Sequence, residues 1–217
     1  MALSIIIITL NDPNLPILLS QISKFDGKFE VIVVNAGNSL NLDGKIKLIE
    51  NTPKNRGLQL NLGAKEAKFD KFWFLHSDSL IDKNSLNLIL NALKNSQIGC
   101  FKIKFDKKSL IMKILEICSN LRVKFRNIAF GDQGIFMTKE FYNEMNGFKE
   151  IPIMEDYDFS IRVKNKGVKF HQLNSSIITS SKRFNKPLKT IFKMQILQFK
   201  FRKKYDIKSI EDAYKKI

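Results

Sequence analysis

Two β-branched runs near the amino terminus, Ser4 to Leu10 (SIIIITL) and Phe29 to Val34 (FEVIVV), contain no polar alternation. Strands of that kind are covered on both faces. Between them lies LPILLSQISKF, in which Leu15, Leu18, Leu19 and Ile22 fall on one helical face. Strand, helix and strand joined at this length imply a parallel pair with a crossover, and hence an α/β sheet with helices packed on it. The alternation continues through a short strand at Ile46 to Ile49, a helix within LQLNLGAKEAKF, the strand FWFLH, a helix over Leu86 to Leu93 and the strand CFKIKF. In open α/β sheets ligands sit at the carboxyl ends of the strands. Asn11, Asp12, Asn35 and Asp78 occupy such ends.

After Lys108 the rhythm changes. Ile111, Ile114, Leu115, Cys118 and Leu121 give an amphipathic helix, and RVKFRNIAFGDQG leads into a short strand, GIFMT. Helices then flank Gly147, and PIMEDYDFSIRVKNKG reads as a helix opening at Asp156 or a neighbour and stopping at Gly167. VKFHQL is the last expected strand, and a long basic helix runs from about Pro187 to Lys204. No repeat or low-complexity linker interrupts the 217 residues, so one domain is expected: a ligand-binding half over 1–105, a second half over 106–182 and a basic helical segment over 183–217.

The apolar fraction, 44%, is that of a chain with a real core, which argues against disorder. With 37 Lys and Arg against 21 Asp and Glu, the net charge of +16 attracts polyanions. Lysine supplies most of it and arginine is scarce, which does not match base reading in a DNA groove; no nucleic-acid partner is expected. A compositional preference for Lys and Asn would give the same imbalance without any function. The two cysteines, Cys100 and Cys118, form neither a close pair nor a framework, consistent with a reducing compartment. Ser4 to Leu10 lacks the flanks of a signal peptide, and no stretch reaches the roughly 20 apolar residues of a membrane span. A cytoplasmic protein, soluble or peripheral to a membrane, is the expectation.

The segment FWFLHSDS sets His76 and Asp78 two positions apart at a strand end. If the extended geometry continues, both side chains face one object. Imidazole and carboxylate are both ligands for divalent cations, so a metal or a metal-bound phosphate is one reading. A strand-end hydrogen bond and a helix cap are the plain alternatives. His171 is a further candidate ligand, although a lone strand histidine is more often structural.

Four segments in order resemble a known family: SIIIITLND, EVIVVNAGNS, FLHSD, and GDQGIF with PIMEDYDFSIRVKNKG. Together they resemble the family-two glycosyltransferases of the GT-A fold, most closely a small bacterial branch with an N-R-G-x-Q-x-N-x-G-A segment, here Asn55, Arg56, Gly57, Gln59, Asn61, Gly63 and Ala64. The resemblance runs from about Ser4 to Lys182. It implies a Rossmann-like open mixed sheet and a nucleotide-sugar donor held by Thr9, Asn11, Asp12, Asn35, Gly37, Arg56, Gln59, His76, Ser77 and Asp78. Asn35 stands where the family usually has an aspartate. The family's D-x-D becomes His76-Ser77-Asp78, implying Mg or Mn at Asp78 with His76 as a second contact. Gly131, Asp132 and Gln133 match the acceptor-side segment. Glu155 and Asp156 match the acidic pair, with Asp156 as general base and Glu155 orienting the acceptor; Asp158 is expected to be structural or to pair with Arg162.

The resemblance thus implies inverting, metal-assisted sugar transfer to a hydroxyl, with a lipid-linked or cell-envelope glycan among the acceptors. Two other classes stand beside it. A nucleotidyltransferase also uses an α/β nucleotide site, but normally needs glycines after the first strand, and LNDPNLP has none. A non-catalytic protein binding nucleic acid or membrane explains the charge but leaves the acidic cluster idle. The last helix interleaves Leu188, Phe192, Ile196 and Phe199 with Lys186, Lys189, Lys193, Lys200 and Arg202 to Lys204. That pattern suits either an anionic membrane surface or a helix packed on the domain with its lysines in water.

Overall fold

The computed structural model describes residues 1–184 and 186–216; Asn185 and Ile217, both in the expected basic segment, lie outside the described residues. Its centre is a seven-stranded sheet in the order β3-β2-β1-β4-β6-β5-β7. β1 (Ala2–Thr9) pairs in parallel with β2 (Lys28–Asn35) and with β4 (Lys71–His76), and β2 pairs in parallel with β3 (Lys47–Ile49). β6 (Phe136–Thr138) runs antiparallel between β4 and β5 (Ile98–Phe105), and β7 (His171–Thr179) lies parallel to β5. The sheet is therefore mixed, with its single reversal at β6.

Both faces are covered, as the apolar strands require. In β1, Ile6 and Ile8 enter one core with Ile32, Val34, Phe74 and Phe159, while Ile5 and Ile7 enter the other with Leu18, Val33, Trp73 and Phe101. α1 (Leu15–Ile22) and α3 (Ser85–Ala92) cover the second face. α2 (Arg56–Lys65), α5 (Lys139–Glu144) and α6 (Glu155–Asn165) cover the first. Each large apolar side chain buried in this way contributes about 1.5–3 kcal/mol.

α2 is tied to its surroundings by polar side chains rather than by its weak apolar stripe. Asn55 caps it by accepting from the Leu58 amide. Gln59, buried, donates from Nε2 to the carbonyls of Val34 (3.2 Å) and Thr9 (3.4 Å), bridging the ends of β1 and β2. Asn61 accepts from the Tyr142 hydroxyl and the Phe148 amide and donates to the Phe148 carbonyl, which fixes the loop before α6. Gly57 donates to the Ile151 carbonyl.

α4 (Leu110–Arg126) is amphipathic as its spacing predicts, but it is turned the other way round. Met112 and Val123 are buried, while Leu110, Ile111, Ile114, Ile117, Leu121 and Phe125 face outward. The cause lies in β5, where Asn120 binds both backbone groups of Ile103 and Glu116 accepts from the Phe105 amide. Unpaired strand amides would be costly, so the helix turns its polar residues inward.

The basic end forms two helices, α7 (Pro187–Arg202) and α8 (Ile207–Lys215), where one was expected. Leu197 and Ile210 pack with Ile128, Ile153 and Tyr157, and Arg202 donates to the Tyr157 hydroxyl at 2.7 Å. No helix among the described residues is long and apolar enough to cross a membrane.

Gln59→Ala removes a donor from two carbonyls at the sheet's end, Val34 and Thr9, of which Thr9 keeps the Ala36 amide. An unfolding free-energy loss of about 1–3 kcal/mol is expected, measured by urea denaturation. Gln59→Glu should be at least as damaging, because the carboxylate can only accept.

Candidate active site

The carboxyl ends of β1, β2 and β4 lie side by side, and the 3₁₀ turn Gly131–Gln133 meets the end of β4 at His76. Beyond β1 the chain turns through Asn11, at φ 54°. The Asp12 amide donates to Thr9 Oγ1, and Asp12 Oδ1 accepts from the Asn14 amide. Beyond β2, buried Asn35 accepts from the Gly37 amide and donates to the Asn38 carbonyl. Asn11 donates to that same carbonyl, stapling the two loops together. A Cβ on Gly37 would lie 1.6 Å from Asn11 Oδ1, so only glycine permits this approach. Asn35 thus shapes the turn, a role that its amide fills by donating and accepting at once.

At the end of β4 the extended geometry does not continue. Ser77 and Asp78 form a turn closed by the Ser79 amide on the His76 carbonyl. Strand alternation therefore does not relate His76 to Asp78. His76 instead points towards the 3₁₀ turn: a Cβ on Gly131 would meet its Nε2 at 2.7 Å and Asp156 Oδ2 at 3.4 Å. Gly131 is where three segments crowd together. Ser77 is buried, and Asp78 lies within electrostatic range of Asp132.

α6 begins at Glu155, the neighbour of Asp156, with Met154 in the left-handed region at φ 67° as the residue before it. Asp156 is therefore inside the first turn. Its Oδ1 accepts from the Tyr157 amide and its Oδ2 from the Gly131 amide, both at 2.7 Å. That second bond joins the acidic helix start to the GDQ turn. Glu155 is buried with neither carboxylate oxygen hydrogen-bonded, and Asp132 Oδ1 is likewise buried without a partner. His76, Gly131, Glu155 and Asp156 line one small pocket with Leu60, Phe74, Ile135 and Phe148. Asp158 pairs with Arg162 at 2.8 Å, as its spacing predicts.

Burial, then the neighbouring Asp156, pushes the Glu155 carboxyl up to about 8 against the attraction of Arg56. Burial likewise raises Asp132 to about 6; Arg122 opposes this, while Asp156 and Asp78 add to it. Several acids thus crowd a site with little positive charge of its own. Arg122, which the sequence did not single out, supplies part of it. Its guanidinium stacks 3.7 Å over the Phe130 ring and donates to Gln133 Oε1 and the Ile128 carbonyl. Gln133 in turn donates to the Phe101 carbonyl, so it anchors the turn instead of facing the crevice. Arg56 is half-buried, 5.8 Å from the Tyr214 ring and close enough to act on both Glu155 and Asp132. His171 is exposed at the start of β7, on the opposite edge of the sheet.

Among the described residues no three His, Cys, Asp or Glu side chains are gathered to hold a metal alone. The unpartnered Oδ1 of Asp132, with Asp78 in electrostatic range of it, nevertheless fits a hard divalent cation that completes its shell with oxygens of a bound ligand.

Glu155 gives a pH signature. In the folded chain it keeps its proton to about pH 8, whereas its ordinary value is 4.5. The folded state binds the extra proton between those values, so stability falls as pH rises through that window. Urea unfolding in chelator from about pH 5 to 9 should show this loss. Glu155→Gln should flatten it and exceed wild type in stability at the alkaline end.

Residues 4–144 match the profile described as Glycosyl transferase family 2. No curated protein sequence matches the chain. Among solved structures, the mannosyltransferase PcManGT of Pyrobaculum calidifontis, in complex with GDP-Man and Mn2+, superposes with a TM-score of 0.68 at 17% identity over 94% of this chain and 64% of that one. TarS 1–349 of S. aureus, in complex with UDP-GlcNAc, superposes with a TM-score of 0.61 at 17% identity over 84% of this chain and 59% of that one. The chain thus spans less than two thirds of either. At such identities the superpositions establish a shared GT-A fold, while the profile covers well over half of the sequence: this chain belongs to glycosyl transferase family 2.

Proposed function

We propose that the protein transfers a sugar from a nucleotide-sugar donor to a hydroxyl acceptor in a single inverting displacement, assisted by Mg or Mn. The observation that carries this reading is the bond from the Gly131 amide to Asp156 Oδ2. It brings the acidic start of α6, the GDQ turn and His76 to one point beside Asp78 and Asp132. The donor complexes of the two superposed proteins support a nucleotide sugar on the strand-end side.

In this reading Asn11, Asp12, Gly37 and Arg56 border the nucleotide, while Thr9, Asn35 and Gln59 build the floor beneath it. A divalent cation, when bound, supplies positive charge against the diphosphate leaving group; Asp78 would hold it, with His76 beside it. The acceptor oxygen forms its bond to the anomeric carbon as the bond from that carbon to the diphosphate breaks. Its proton passes to Asp156, which accepts amide bonds and retains lone pairs for a hydroxyl. Protonated Glu155 orients the acceptor by donating a hydrogen bond. The acceptor lies on the Gly131–Gln133 side and is a lipid-linked or cell-envelope glycan. The basic α7 holds the enzyme at an anionic cytoplasmic membrane face.

A second assignment of the base is favoured by one observation. Asp132 Oδ1 has no hydrogen-bond partner, and its carboxyl is raised to about 6, close to the value that suits a base at neutral pH.

Nucleoside diphosphate release from a panel of nucleotide sugars, with and without chelator, tests the reaction. No release with any donor would reject it. Asp78→Asn should remove metal-dependent turnover at limiting Mn while leaving the melting temperature near that of wild type.

Asp156→Asn keeps one acceptor oxygen and loses one of two amide bonds, a stability cost of about 1 kcal/mol. Transfer should nevertheless fall about 10²- to 10⁴-fold with donor affinity intact. Near-normal transfer by this variant, together with a loss of that size in Asp132→Asn, would move the base to Asp132.

A further inference from the structure

The outward apolar stripe on α4 is not explained by packing within the chain. Leu110, Ile114, Ile117, Leu121 and Phe125 recur at spacings of three and four along one line of the helix, and Leu110 and Phe125 are 75% and 73% exposed. The polar residues that would normally face water, Glu116 and Asn120, are turned inward onto β5. A contiguous exposed apolar patch of this kind marks an interaction surface.

α7 has a similar stripe, in which Leu188 and Phe192 are 72% and 68% exposed and Ile196 and Phe199 continue the line. The two helices share neighbours at two points. Phe184, just before α7, packs with Phe105, Met112 and Leu115 beneath the start of α4. Ile128, just past the end of α4, shares a cluster with Leu197 of α7. From Met112 to Arg126 is roughly 21 Å of helix and from Pro187 to Leu197 roughly 15 Å. The helices therefore run along one side of the protein in the same direction.

Charge identifies what covers this side. Residues 107–126 and 182–205 contain fifteen of the chain's 37 Lys and Arg but one of its 21 acids. That acid is Glu116, which accepts the Phe105 amide. Nearby Asp106 accepts from the Ser181 and Lys107 amides. The rest of the chain is nearly neutral, so most of the excess of +16 lies in these two helices and the residues that flank them. A uniform compositional bias would not segregate in this way. Apolar side chains in a line, flanked by lysines and with no exposed acid on either helix's stripe, match the acyl boundary and phosphates of an anionic bilayer.

We propose that the outward faces of α4 and α7 form one docking surface for an anionic lipid bilayer, with α4 inserting its stripe Leu110–Phe125 alongside that of α7. This extends the membrane role given to α7 above and can fail separately from it. The surface adjoins the site: Arg122 of α4 backs the Gly131–Gln133 turn, and Arg202 of α7 holds Tyr157 in the first turn of α6. Docking would bring the acceptor side next to the lipid.

The protein carries its own probe. Cys118 is exposed and follows Ile117, while Cys100 is buried. With an environment-sensitive fluorophore on Cys118, the purified chain is mixed at low salt with vesicles of phosphatidylcholine, or of phosphatidylcholine and phosphatidylglycerol at roughly two parts to one. Blue-shifted emission and co-sedimentation are expected with the mixed vesicles alone, both reversed by high salt. In unlabelled protein, Ile117→Gln with Phe125→Gln should weaken co-sedimentation roughly tenfold or more. Leu188→Gln with Phe192→Gln should do the same, with melting temperature and nucleoside diphosphate release in solution unchanged in both.

Wild-type co-sedimentation by the α4 variant, or an unshifted Cys118 probe on vesicles that bind the protein, would overturn the role of α4 while leaving that of α7. No binding to either vesicle would overturn both. Light scattering that shows a dimer dissociated by the α4 substitutions would assign the stripe to a second copy of the chain and also overturn the proposal. None of these results bears on whether sugar is transferred.

Discussion

The polar clamp made by α2 is the constraint on which the site depends. Gln59 closes the ends of β1 and β2 from beneath, and Asn61 takes both backbone groups of Phe148. Between them these two side chains fix the floor of the crevice and the loop that delivers Glu155. Apolar packing alone would not set that loop's position, because hydrophobic contact is non-directional. Amide side chains are directional, and apart from Tyr142 and Glu150 the partners here are backbone groups, so a shift of α2 by even one residue would break several bonds at once. The segment from Asn55 to Ala64 is thus chiefly architectural, with Arg56 as the member that reaches into the electrostatics of the site.

A second constraint follows from what the clamp positions. Glu155 is buried without a hydrogen-bond partner and lies next to Asp156. An arrangement of that kind lowers stability, and it leaves a neutral carboxyl that can donate where a carboxylate cannot. Arg122 limits the cost at Asp132, and its own burial, which pulls its pKa down, is offset by the acids around it. Its stacking on Phe130 holds the guanidinium behind the turn, leaving the crevice open to ligand. The positive charge is thus held at the turn, where it acts on Asp132.

The sequence made the strands and most helices legible because their signals are local. The apolar runs of β1 and β2 admit one structure, and Gly167 marks a helix end. The ion pair of Asp158 with Arg162 followed from spacing alone. The relation of His76 to Asp78 did not, because alternation holds only while the chain stays extended, and here it turns at Ser77. Gln59 reads as a surface residue in a helical repeat; only the ends of two strands, 25 and 50 residues away, make it a buried brace. Arg122 was missed for the same reason, since its partners Phe130 and Gln133 meet it only once α4 has folded back against the turn.

The orientation of α4 shows how a local signal can be right about structure and silent about direction. A helical period in the hydrophobic residues fixes an amphipathic helix, and the usual inference turns its apolar face to the core. Strand β5 presents the Ile103 amide and carbonyl and the Phe105 amide to this helix. Leaving each of those groups unpaired costs about 1–3 kcal/mol, comparable with the gain from burying one large apolar side chain. Asn120 and Glu116 resolve that competition in favour of the backbone, and the apolar stripe is displaced to the outside. The same reversal explains why net charge alone was a weak guide. Distributed over 217 residues, +16 is compatible with compositional drift; gathered for the most part on two helices and their flanks, which also expose apolar residues, it describes a surface with a specific chemistry.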